Sequence, residues 1–165
     1  MRMMTFAKRN FKEIVRDPLN LAFLFGFPVV LLLLLSAIQA NIPVSMFEIS
    51  HLAPGVAVFG LAFMTLFSAT LIAKDRQSSF MQRLYTTPMT PADFILGYTL
   101  PLLPIATAEG VASYILAAIL GLEISVNILL SLVLIIPIAL LYIGIGLLCG
   151  SVLNDKQVGG SAARF

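Results

Sequence analysis

Apolar and charged positions are segregated along this chain rather than mixed. Four stretches, 19–38, 54–73, 94–120 and 126–149, contain a single residue of the charged types Asp, Glu, Lys and Arg between them, Glu109. A helix rises about 1.5 Å per residue, so roughly 20 residues cross the ~30 Å hydrocarbon core of a bilayer. All four stretches reach that length. Runs such as the VVLLLLL that begins at Val29 lack the alternating polarity of a β-barrel strand. They also lack the polar face that a helix of a soluble bundle would show. The pattern predicts an all-α, polytopic membrane protein with four transmembrane helices in one domain. For the first stretch, the Leu, Phe, Val and Ile residues sum to about −6 kcal/mol of insertion energy. The third is weaker, because Glu109 opposes insertion and Pro101 and Pro104 remove backbone donors, predicting a kink.

Shorter periodicities occupy the connections. Met4, Ala7, Phe11 and Ile14 recur at helical spacing, with Lys8, Arg9, Lys12 and Arg16 on other faces. This predicts an amphipathic helix over 1–18 lying along the membrane surface, near anionic headgroups. Pro18 should end it by disfavouring helical geometry at Asp17. In the connection 74–93, Phe80, Met81, Leu84 and Tyr85 form a second apolar strip opposite Arg76, Gln82 and Arg83, followed by Pro88 and Pro91. A short amphipathic helix is expected there. It would lie in the headgroup region or dock into a groove of a soluble partner, and spacing alone leaves both open.

Composition agrees with the pattern. Of 165 residues 59% are hydrophobic and 11% charged, with a mean hydropathy of +1.01. A soluble domain carries about a quarter charged residues. The lone cysteine, Cys149, excludes an internal disulfide framework. The net charge of +2 matters less than its placement. Arg2, Lys8, Arg9, Lys12 and Arg16 precede the first span; Lys74, Arg76 and Arg83 lie between the second and third; Lys156 and Arg164 follow the fourth. Together these are all 10 basic residues, and the connections 39–53 and 121–125 carry none. The excess of Lys and Arg in cytoplasmic loops then predicts that both termini, and the tail 150–165, are cytoplasmic. A cleaved leader is not expected: the first apolar run exceeds the usual 7–15 residues or so, and Ile38 stands where a small residue is required.

The order of these segments carries a family resemblance. A basic amphipathic leader is followed by DPLNLAFLFGFPVVLLLLL, LAPGVAVFGLAF, KDRQSSFMQRLYTTPMTPADFILGY and GLLCGSVLNDKQVGG. The set resembles the type-2 ATP-binding-cassette transporter permeases, the membrane subunits of bacterial and archaeal exporters, over roughly residues 5–160. The resemblance implies a permease in the plasma membrane, paired as a homo- or heterodimer and driven by ATP bound to a separate nucleotide-binding subunit. It also implies that the loop between spans two and three is a coupling helix. Carried over by position, Asp75, Arg76, Phe80, Met81, Arg83 and Leu84 are the candidate contacts with the ATPase. Such permeases usually have six spans, so four imply a fragment, a truncated product or half of a split permease.

Little else in the sequence points to chemistry. There is no G-x-x-x-x-G-K-[ST] phosphate loop, so no cofactor and no ATPase activity are expected on this chain. His51 and Cys149 fall on opposite sides of the expected topology and cannot share a metal. Nucleic acid is not an expected partner. Glu109 is the one residue of the charged types inside a span, a candidate polar site on a substrate route or for a proton. Its alternative is a neutral carboxyl bonded to Thr107, Ser113 or another helix. Gly146 and Gly150 form a G-x-x-x-G pair suited to close helix packing. The competing functions are a proton-coupled carrier using Glu109 and an inactive membrane remnant.

Overall fold

The computed structural model describes residues 2–42, 48–78, 86–87 and 90–153. Among them are five helices and no strand: α1 (Arg2–Val15), α2 (Pro18–Gln39), α3 (Ile49–Gln77), α4 (Pro91–Ile119) and α5 (Val126–Val152). The last four are long and apolar enough to cross a membrane. The protein is therefore an all-α polytopic membrane protein. The expected coupling helix around Phe80–Tyr85 and the tail beyond Leu153 lie outside the described residues.

Local chemistry sets the helix ends. Asp17 has φ −97° and ψ 86°, outside the helical region, as the following Pro18 favours. Its carboxylate then caps α2, accepting from the Asn20 amide N–H at 3.2 Å and from Asn20 Nδ2 at 2.6 Å. Pro18 occupies the first turn, where its missing N–H removes no helical bond. Thr90 and Asp93 close a reciprocal capping box at the start of α4. The Asp93 N–H donates to Thr90 Oγ1 at 3.2 Å and the Thr90 N–H donates to Asp93 Oδ2 at 3.1 Å.

The far end of α4 turns on Gly121, whose φ of 107° lies in the left-handed region. The Leu122 N–H donates to the Ala117 carbonyl at 2.9 Å and the Gly121 N–H to Ala118 at 3.2 Å, the paired bonds of a Schellman stop. A Cβ at Gly121 meets nothing within 4 Å, so only backbone conformation opposes a side chain there. Gly121→Ala is expected to lower stability by about 1 kcal/mol, read from the thermal midpoint in detergent.

α3 is the central helix, packed against α2, α4 and α5. Leu61, Met64, Leu102, Ala106, Ala139 and Ile143 lie within the common core. α2 and α5 are peripheral and present long apolar faces outward, among them Phe23, Val30 and Leu34 on α2 and Leu130, Leu134 and Leu141 on α5. α4 continues through Pro101 and Pro104 as one helix.

The face assigned to α1 needs correction. Ala7 and Ile14 are buried as their spacing suggests, but Met4 and Phe11 are exposed. The buried face is Phe6, Ala7, Asn10 and Ile14, and Phe6 and Ile14 belong to the same apolar core as the spans. α1 is thus docked on the bundle. Met4, Phe11 and Val15, flanked by Lys8 and Lys12, form the side left outward, which suits a headgroup layer.

Candidate functional site

The densest polar cluster joins α1, α3 and α4 at the basic end of the bundle. Asp75, in the last turn of α3, is 2% exposed. Arg9 from α1 grips it through two parallel bonds, Nη1 to Oδ2 at 2.8 Å and Nη2 to Oδ1 at 2.9 Å. This fork geometry is the strong form of an ion pair. Tyr98, from α4, donates its hydroxyl to Asp75 Oδ2 at 2.7 Å. Arg9 also meets Glu13 one turn along α1 at 2.8 Å. The Asp75 hydrogen bond raises the pKa of the Arg9 guanidinium above its ordinary value.

Asn10 explains why α1 docks where it does. Pro101 has no N–H, so the carbonyl of Gly97 loses its normal partner one turn ahead. Asn10, fully buried, donates Nδ2 to that carbonyl at 3.0 Å. It accepts from Arg9 Nη1 at 3.1 Å through its other terminus. Gly97 also leaves the space that the Phe6 ring fills; a Cβ there would lie 2.8 Å from Phe6 Cε1. Phe6 and Phe94 each pack edge-on against Tyr98 with ring centroids 5.0 Å away. The aromatic cluster fixes the ring whose hydroxyl reaches Asp75.

Neighbours of Asp75 in the last turn of α3 reach other elements. Lys74 Nζ lies 3.8 Å from Asp17 Oδ2 at the junction of α1 and α2. Arg76 Nη1 donates to the Gly150 carbonyl at 3.1 Å and to Leu153 at 3.4 Å. It thereby satisfies carbonyls that have no helical donor at the end of α5, where a cation is also favoured by the helix dipole. Three consecutive residues therefore tie the end of α3 to every other helix of the bundle.

The sequence-derived candidates fall into distinct places. Asp75 faces inward, and both of its oxygens are engaged within the chain by Arg9 and Tyr98. Arg76 is exposed but bonded across to α5. Phe80, Met81, Arg83 and Leu84 lie outside the described residues. The cluster brings in Arg9, Asn10 and Tyr98, which pattern reading did not select. Asn10 carried one detectable signal, a polar side chain at the spacing of the buried face.

Glu109 sits apart, in the middle of α4, 1% exposed. Ser113 Oγ donates to its Oε1 at 3.1 Å. Oε2 has no hydrogen-bond partner among the described residues. Thr107 instead bonds the Pro104 carbonyl at 2.9 Å. The carboxyl occupies the notch left by Gly60 of α3, where a Cβ would lie 2.6 Å from Glu109 Cδ. Gly146 and Gly150 bring α5 against the backbone of α3, at Thr65 and Ala69 respectively. No metal-binding group of His, Cys, Asp and Glu occurs among the described residues, where His51 is exposed and Cys149 half-buried.

The arrangement is that of a membrane domain tied together at one end. No curated protein and no solved structure matches the chain significantly. The family model described as ABC-2 type transporter matches residues 1–165, the whole chain, which therefore belongs to the ABC-2 type transporter family as a membrane permease domain.

Proposed function

We propose that this chain acts as the permease part of an ATP-binding-cassette exporter in the plasma membrane, with both termini cytoplasmic and ATP hydrolysed on a separate nucleotide-binding subunit. The observation that carries this reading is the last turn of α3. Lys74, Asp75 and Arg76 immediately precede the loop and bond to the α1–α2 junction, to α1 and α4, and to the end of α5. A displacement of the loop therefore acts on the whole bundle rather than on one helix. Packed interfaces of this kind convert small shifts into rearrangement of whole elements. Phe80, Met81, Arg83 and Leu84 supply the contact with the ATPase, Arg76 anchors its base, and Asp75 passes the movement to α1 and α4. A second permease chain, identical or related, completes the translocation path against the apolar faces of α2 or α5.

Co-purification with the nucleotide-binding subunit tests this directly. Arg83→Glu and Phe80→Asp are expected to weaken association about tenfold, in line with loss of a buried charged or aromatic contact. Stimulation of ATP hydrolysis should fall with it. Undiminished association and stimulation in both variants would remove the loop from the interface.

The unpartnered oxygen of Glu109 favours a second reading, in which this carboxyl carries a proton across the membrane. That reading requires transport driven by a pH gradient without nucleotide and its loss in Glu109→Gln. ATP-dependent transport that survives the same substitution leaves Glu109 as a packing group in the Gly60 notch.

A further inference from the structure

α1 and α2 meet at an elbow, and the elbow lies at the edge of the bilayer. α2 is apolar and long enough to span, and it begins at Pro18. A span begins where the hydrocarbon does, so the residues just before it sit at headgroup depth. An open recess of about 650 Å³ is found there, lined by Arg9, Lys12, Glu13, Arg16, Asp17 and Pro18. Its carboxylates are already engaged. Glu13 pairs with Arg9 at 2.8 Å, while Asp17 caps α2 and lies 3.8 Å from Lys74 Nζ. Arg9 is likewise committed to Asp75. Lys12 and Arg16 differ: both are exposed, and neither has an ion pair among the described residues.

The order of charge along α1 is a second, independent observation. Lys8, Lys12 and Arg16 follow at four-residue spacing, each beside the next on one side of the helix. The Arg16 N–H still donates to the Lys12 carbonyl at 3.2 Å, so the helical register holds to the elbow. Like charges at this spacing repel. The helix dipole favours a cation only in the last turn and does not account for Lys8. One position behind the basic ridge runs an exposed apolar one, Phe11 and Val15, which Leu19 continues into α2. A soluble anion would meet the cations and leave this apolar ridge unused. A phospholipid meets both, and one with net negative charge brings no cation of its own to repel Lys12 and Arg16.

We propose that the elbow between α1 and α2 is a binding site for one anionic phospholipid, its phosphate held by Lys12 and Arg16 and its acyl chains laid against Val15 and Leu19. Bound there, the lipid offsets the repulsion along α1 and adds to the hold that Arg9 and Asn10 have on the bundle. The site requires membrane insertion and not ATP coupling, so it is tested apart from the exporter reading.

The test counts lipids retained by the full chain in uncharged detergent, by native mass spectrometry, with phosphatidylglycerol and phosphatidylcholine offered in equal amounts. Retention of one phosphatidylglycerol in preference to phosphatidylcholine is expected. Lys12→Gln with Arg16→Gln should weaken that preference about twentyfold, each cation beside an anionic lipid being worth about fivefold. Lys8→Gln, on the same ridge but outside the recess, should change it by less than about twofold. Val15→Ser keeps every charge and should weaken retention of phosphatidylglycerol about threefold through lost apolar contact. All four side chains are exposed, so an unchanged thermal midpoint in phosphatidylcholine is expected for each variant. Equal retention of the two lipids would overturn the proposal. So would equal losses from Lys8→Gln and the double variant, which mark a diffuse basic surface. Displacement of the lipid by millimolar inorganic phosphate would overturn it too, in favour of a site for a soluble anion.

Discussion

Asp75→Ala is expected to lower stability by about 3 kcal/mol and to loosen α1 from the bundle. The loss has two parts. Tyr98 is fully buried, and removal of the carboxylate leaves its hydroxyl without an acceptor. An orphaned buried donor costs about 1–3 kcal/mol. Arg9 loses its fork, but its side chain is 36% exposed and still meets Glu13, so water and that carboxylate recover much of the pair. About 1 kcal/mol is assigned to it after this screening. The division is checkable. Tyr98→Phe removes the orphan before it forms, so Asp75→Ala in that background should cost at least about 1 kcal/mol less than in the parent. Thermal unfolding of the four chains in detergent gives the cycle. Amide exchange over Phe6–Ile14 should rise in Asp75→Ala, because the ion pair is lost and only Asn10 and the buried Phe6, Ala7 and Ile14 would still hold α1. Additive losses in the cycle would show that Tyr98 and Asp75 do not share a bond that matters.

This cluster also marks what could be read from the chain alone. The four spans were legible because bilayer insertion is decided by summed side-chain transfer energies, a property of each segment by itself. The stop between α1 and α2 was legible for the same reason: Asp17 and Pro18 act within one turn. The buried face of α1 was not. Apolar spacing selected Met4 and Phe11, whereas the bundle accepts Asn10, because Pro101 leaves a carbonyl free 87 residues away. Asp75 was selected only by carry-over from the family resemblance, which says nothing of its packing. Its inward placement depends on Arg9 and Tyr98, which approach only when three helices pack. Glu109 was marked by its cost in a membrane, yet its neighbour Gly60 carries no signal of that role. Polar residues that complete another helix's bonding are invisible until the other helix is in place.

The glycines of α5 give the second large effect, and a control within the same helix. Gly150→Leu is expected to prevent α5 from seating on α3, lowering stability by about 3 kcal/mol or more. A Cβ at Gly150 would already lie 2.8 Å from Ala69 Cα and 2.9 Å from its carbonyl carbon. Those are backbone atoms of the central helix and cannot rotate aside, so even Gly150→Ala should cost about 1–3 kcal/mol. Gly146 is similar, with Thr65 Cα at 2.9 Å. Gly144, two residues before Gly146 and so on the opposite face of the helix, meets nothing within 4 Å. Gly144→Ala should therefore be neutral or gain up to about 1 kcal/mol from helix propensity. In a bilayer the lipid tails are as apolar as the side chains, so close backbone approach carries more of the helix association than apolar burial does. Arg76 bonds the Gly150 carbonyl itself, which makes the same contact the place where α5 meets the loop-bearing end of α3. A leucine there should consequently impair any stimulation of a partner ATPase along with stability, whereas Gly121→Ala should lower stability alone. Equal thermal midpoints for Gly144→Ala and Gly150→Ala would show that the α3–α5 contact does not depend on the missing side chain.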